Sequence, residues 1–144
     1  MKTLISSIVL IMVLSTPSLA QKQGLCGKVT WTSGNQMPGP GLKSSKPLGI
    51  VREIYIYEAT TTAQTSQQEG FYTAIQTKLV KKIKSKKNGS FSVKLPPGTY
   101  SVFTKEAKGL WANTFDGQGI INPVTVSPNN YTELTLNVNY EAAY

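Results

Sequence analysis

The side chains that carry most enzyme chemistry are scarce in this chain. It has no histidine, one aspartate (Asp116) and six glutamates: Glu53, Glu58, Glu69, Glu106, Glu133 and Glu141. Without histidine there is no Ser-His-Asp or Cys-His machinery, no usual zinc ligand set and no commonest general base. A paired-carboxylate site needs two acids to converge, and these six are scattered. Glu53 and Glu58 fall on or beside one strand, where an ion pair with Arg52 or a lysine is the simpler fate. Asp116-Gly117-Gln118-Gly119 offers too few oxygen ligands for a calcium loop and reads as a turn. The residue types therefore predict a non-enzyme, with no catalytic residue, no cofactor and no metal.

Two constellations remain. Lys78, Lys81, Lys82, Lys84, Lys86 and Lys87 crowd one stretch of a chain whose formal net charge is +8. Such a patch can attract nucleic acid, anionic polysaccharide or a membrane surface. It has no arginine or interleaved aromatic to read bases, so nucleic acid is not expected. The lysines read as a solvated strand face that guards a sheet edge. The second set is Trp111, Phe115 and Tyr72, aromatics able to stack on a sugar ring. They make a carbohydrate the ligand class to weigh against an unknown protein partner. The competing role for Trp111 is to pack over the open end of the fold.

The first residues are of another kind. Lys2, the apolar run Leu4 to Leu14 and the small residues Ser18 and Ala20 predict a secretory signal peptide over residues 1–20. The run is too short for a membrane anchor in the mature chain. The mature protein is then expected to begin near Gln21 and to be exported, as a periplasmic or secreted domain over residues 21–144. Cys26 is the lone cysteine. It reads as a half-buried thiol at the start of the first strand, with an intermolecular disulfide as the alternative.

Strands must position these groups. Phe91, Val93 and Leu95 alternate with polar residues, Pro96-Pro97-Gly98 breaks the run, and Tyr100 and Val102 resume it. This reads as a hairpin from Asn88 to Phe103 around which the rest is organised. Further strands are expected at Gly27–Thr32, Gly49–Glu58 (central, with Ile54 and Ile56 on one face and Tyr55 and Tyr57 on the other), Ala74–Lys84, Ile120–Val126 and Tyr131–Tyr140. Leu79, Val80 and Ile83 also fit helical spacing, and the β context decides for a strand. Ser33–Pro47, Ala59–Gly70 and Lys105–Gly119 read as loops. About seven strands and no convincing helix argue for one all-β sandwich domain.

Gly27-Lys28-Val29-Thr30, the turn at Asn88-Gly89 and Phe91-x-Val93-x-Leu95-Pro-Pro-Gly98-x-Tyr100 resemble the carboxypeptidase regulatory-like domains. The resemblance implies a seven-stranded Greek-key sandwich related in shape to transthyretin. It implies a structural or binding accessory at the cell envelope, without catalytic residues. Many members carry Thr-Asp before the turn glycine, where this chain has Ser85-Lys86-Lys87-Asn88. Sandwiches of related shape, the collagen-adhesin B-type modules, join a first-strand lysine to a last-strand asparagine. Lys28, Asn137 and Asn139 are the matching types, but their phase points them to solvent, so no such bond is expected.

Overall fold

The computed structural model describes residues 22–144. The expected signal peptide and Gln21 lie outside the described residues. In chain order the strands are β1 (Gly24–Asn35), β2 (Leu48–Gly49), β3 (Glu53–Glu58), β4 (Thr65–Gln68), β5 (Phe71–Ile75) and β6 (Leu79–Lys84). They continue with β7 (Ser90–Lys94), β8 (Gly98–Glu106), β9 (Gly109–Trp111), β10 (Pro123–Val126) and β11 (Tyr131–Ala143). The one helical element among the described residues is a 3-10 turn at Thr62–Gln64, and none is long and apolar enough to cross a membrane.

The strands form two sheets. In the first, β1 is the spine: β11 runs parallel along one edge, and β7 and β2 pair antiparallel along the other. The second has the order β4-β5-β9-β8-β3-β6, with β10 also on β8. Leu25, Val29, Phe91, Val93, Leu136 and Val138 of the first sheet meet Ile54, Ile56, Tyr100, Val102, Val124 and Val126 of the second in one buried cluster. Two sheets face to face over such a core make a β-sandwich.

The organising stretch is not a hairpin. β7 pairs with β1, whereas β8 pairs with β3, β9 and β10. Pro96-Pro97 carries the chain from one sheet to the other, so Phe91 and Tyr100 face each other's sheets across the core. Alternation reports which side of a strand is buried and is silent about its neighbour. The crossing is clamped by the Tyr100 hydroxyl, which donates to the Pro96 carbonyl at 2.6 Å.

Other differences have similar causes. The expected second strand is divided: Leu48–Gly49 pairs with β1, and β3 starts at Glu53 in the opposite sheet. The polar tract read as a loop contains β4, which joins β5 through Glu69 and Gly70 at φ 52° and 83°, the geometry of a type I′ turn. The loop expected after Thr104 is a continuation of β8, a turn at Ala107-Lys108 and β9. Opposite β3, the ladder steps from Ile56↔Lys81 to Tyr57↔Leu79, so Val80 is a bulge residue. The bulge lets Val80 and Ile83 both pack on the core, which is why their spacing looks helical. Among the described residues eleven strands thus stand where the sequence suggests about seven, the additions being β2, β4, β5 and β9.

Several readings are met. β3 is central, with Ile54 and Ile56 fully buried. β6 is an edge strand, and the side chains of Lys81, Lys82 and Lys84 are exposed along it. Cys26 is a half-buried free thiol on β1. Lys28 is exposed as expected, whereas Asn137, expected to face solvent, is half-buried and accepts hydrogen bonds from the buried Thr30 and Thr32 at 3.3 and 3.0 Å.

Candidate functional site

Strand register builds a site on the outer face of the larger sheet. Because Ile54 and Ile56 enter the core, Tyr55 and Tyr57 project from the other side of β3. Directly opposed residues share a face, so Tyr55 is flanked by Lys82 on β6 and Phe103 on β8. Lys105 lies two residues beyond Phe103 on that face. It is opposed by Leu110 on β9, and Leu110 by Tyr72 on β5. An aromatic strip with lysines at its margins therefore crosses five strands.

Phe103 is the keystone of its floor. Tyr57 and Tyr72 meet it edge to face, with centroids 5.7 and 5.3 Å away. Around them opens a trough of about 390 Å³, walled by Tyr55 and Tyr57 on one side, Thr73, Ala74 and Ile75 on the other, and Lys105 and Ala107 to Leu110 at one end. The β5–β9 ladder consists of Tyr72↔Leu110 alone, so the β9-side backbone edge of Thr73 to Ile75 has no strand partner. Tyr72 is 2% exposed, and its buried hydroxyl has the side chain of Gln67, opposite it on β4, as its polar neighbour. Burial pushes the Tyr57 and Tyr72 hydroxyls above the ordinary tyrosine range.

The cations differ in their commitments. The Lys82 ammonium sits 4.9 Å from the Tyr55 ring centroid and 4.0 Å from Glu53 Oε1. Tyr55 and then Glu53 hold it above the ordinary lysine range. Lys108 is paired with Glu69 at 2.6 Å. Lys105, in the trough wall, has no ion pair among the described residues.

A second polar group lies between the sheets. Arg52 Nε donates to both carboxylate oxygens of Glu106, at 3.0 and 3.1 Å, and the Tyr140 hydroxyl donates to the same carboxylate at 3.1 Å. Trp31, Phe71 and Trp111 close around Tyr140, with centroids 5.2, 4.9 and 5.3 Å from its ring. Glu106, one of the six acids scattered along the sequence, is a buried structural anchor.

The three aromatics singled out from sequence are not gathered on one surface. Tyr72 forms the trough floor. Trp111 is half-buried in the cluster around Tyr140 and lines a separate cavity of about 190 Å³ with Thr104, Asn113, Asn122 and Asn137. Phe115 is 52% exposed on the segment before the Asp116 turn and lines neither space. Sequence reasoning passed over Tyr55, Tyr57 and Lys105. The available signal was Ile-x-Ile against Tyr-x-Tyr on one central strand: tyrosine, apolar in body and polar at its tip, suits a face that stays open.

Among the described residues no three His, Cys, Asp or Glu side chains gather as for a metal ion. The arrangement can stack a ring against tyrosines, donate hydrogen bonds and attract negative charge. Fold and site thus define a small all-β protein with an aromatic, lysine-edged trough on one sheet. No family model, no curated protein and no solved structure matches the chain.

Proposed function

We propose that the protein is a non-enzymatic, exported β-sandwich module that binds or scaffolds at the cell envelope, and that the trough is its ligand surface. The observation that carries this reading is the placement around one trough of Tyr55, Tyr57 and a Lys105 with no ion pair among the described residues. Core residues need no such display, and tyrosine is a preferred contact residue where one side stays wet. The fate of the acids supports a binding role: Glu106, Glu53 and Glu69 are each held by a cation. The likeness to carboxypeptidase regulatory-like domains fits the same role. Its motif residues Phe91, Val93, Leu95 and Tyr100 all sit in the core, and the strands expected from sequence, β1, β3, β6, β7, β8, β10 and β11, are the candidates for a seven-stranded Greek-key, transthyretin-like kernel. Export rests on the residues 1–20 pattern.

A second reading, a carbohydrate-binding module, is favoured by the tyrosine walls, which suit the apolar face of a sugar ring. The test is cosedimentation of the purified chain with isolated cell-envelope material. The parent is expected in the pellet, and Tyr57→Ala, in the trough wall, is expected in the supernatant. Equal pelleting of both, or of neither, would remove the trough as ligand surface.

A further inference from the structure

The trough's chemistry narrows the ligand. We propose that it takes an acidic polysaccharide, one whose sugar rings carry carboxylate or sulfate groups. This rests on reading the trough as the ligand surface. Two features converge. Tyr55 and Tyr57 present rings along one wall, spaced two residues apart on a rigid central strand. Lys105 stands at the end of the same trough with no carboxylate partner among the described residues, while Lys82 and Lys108 are each next to an acid. A cation left unpaired beside an aromatic wall is suited to an anionic group on the ligand. The unpartnered backbone edge of Thr73 to Ile75 adds donors and acceptors along the opposite wall. A chain with alternating hydroxyl and acid groups matches this lining, whereas a neutral glucan leaves Lys105 idle. The exposed edge lysines of β6, such as Lys81, lie on the strand margin and supply only diffuse attraction.

The test is affinity electrophoresis of the purified chain in gels holding polygalacturonate, dextran sulfate or neutral dextran, at low and at raised salt. Retardation is expected with at least one acidic polymer, and which one assigns the acid group. Lys105→Gln should weaken it about tenfold, the loss of one charge-assisted hydrogen bond, and Tyr55→Ala should weaken it as well. The double variant Lys81→Gln, Lys86→Gln should retain most of the binding. Thermal melts confirm that each variant is folded. Equal retardation by neutral dextran would overturn the acidic class and leave the carbohydrate reading standing. An equal loss in the edge-lysine variant would reduce the effect to bulk charge and overturn the proposal. No retardation by any polymer would remove both this inference and the carbohydrate reading.

Discussion

Replacing Tyr100 tests whether the crossing between the sheets is held as the structure shows. Tyr100 is 7% exposed, its ring belongs to the core shared by both sheets, and its hydroxyl reaches Pro96 in the sheet-to-sheet connection. Tyr100→Phe keeps the ring and removes one hydrogen bond, a change of about 1 kcal/mol. Tyr100→Ala removes the ring as well, and large-to-small aromatic changes in a core cost about 3–5 kcal/mol. For a domain of about 120 residues the unfolding entropy is roughly 0.25 kcal/mol per degree, so the midpoints should fall by about 4 °C and about 12–20 °C. Urea unfolding should give the same order, with the slope m unchanged because the surface exposed is nearly the same. Phe91→Ala, which opens the facing sheet, should fall by about as much as Tyr100→Ala. If Phe and Ala at position 100 destabilise equally, the ring is not in the core. If Tyr100→Ala melts like the parent, the assignment of inward faces on β8 is wrong.

Glu106→Ala strips a buried acceptor from Arg52 and Tyr140 and should lower stability by about 2–3 kcal/mol, below the usual loss for a broken buried pair because Arg52 keeps part of its exposure; a denaturant midpoint equal to the parent's would show that the cluster contributes nothing. Gly89→Ala should be destabilised by about 2 kcal/mol or more, since Gly89 has φ 86° and a Cβ there would run into the Val29 carbonyl oxygen. Lys87→Ala in the same turn should stay within about 0.5 kcal/mol, and parity of the two in a thermal melt would contradict the close approach. Stability should also fall as pH rises above about 10. Burial raises the hydroxyls of Tyr57, Tyr72, Tyr100 and Tyr140 in the folded protein, so the unfolded chain, whose tyrosines titrate near about 10, loses its protons first. Unfolding followed by tyrosinate absorbance should show this decline, and a flat profile through the alkaline range would refute it.

The core was legible in the residues. Period-two alternation on β7, β8 and β11 names Phe91, Val93, Tyr100, Val102, Leu136 and Val138 as inward, and all are buried. That pattern is local, because successive side chains of one strand point to opposite faces whatever lies beside it. Pairing was not legible, because a backbone ladder carries no side-chain signature. For that reason the Phe91 and Tyr100 strands read as a hairpin when they belong to different sheets. β4, β5 and β9 are short and β4 is wholly polar, so they exist as strands only because neighbours offer partners. The candidate site divides the same way. The sequence shows Tyr55 and Tyr57 on one side of a central strand. Only the register of β6, β8, β9 and β5 brings Lys82, Phe103, Lys105 and Tyr72 onto that side, and only the packing of Trp111 against Tyr140 takes it away. Groups distant along the chain become one surface when long-range hydrogen bonds set which strands are adjacent, a property of the folded ensemble of contacts and of no single segment.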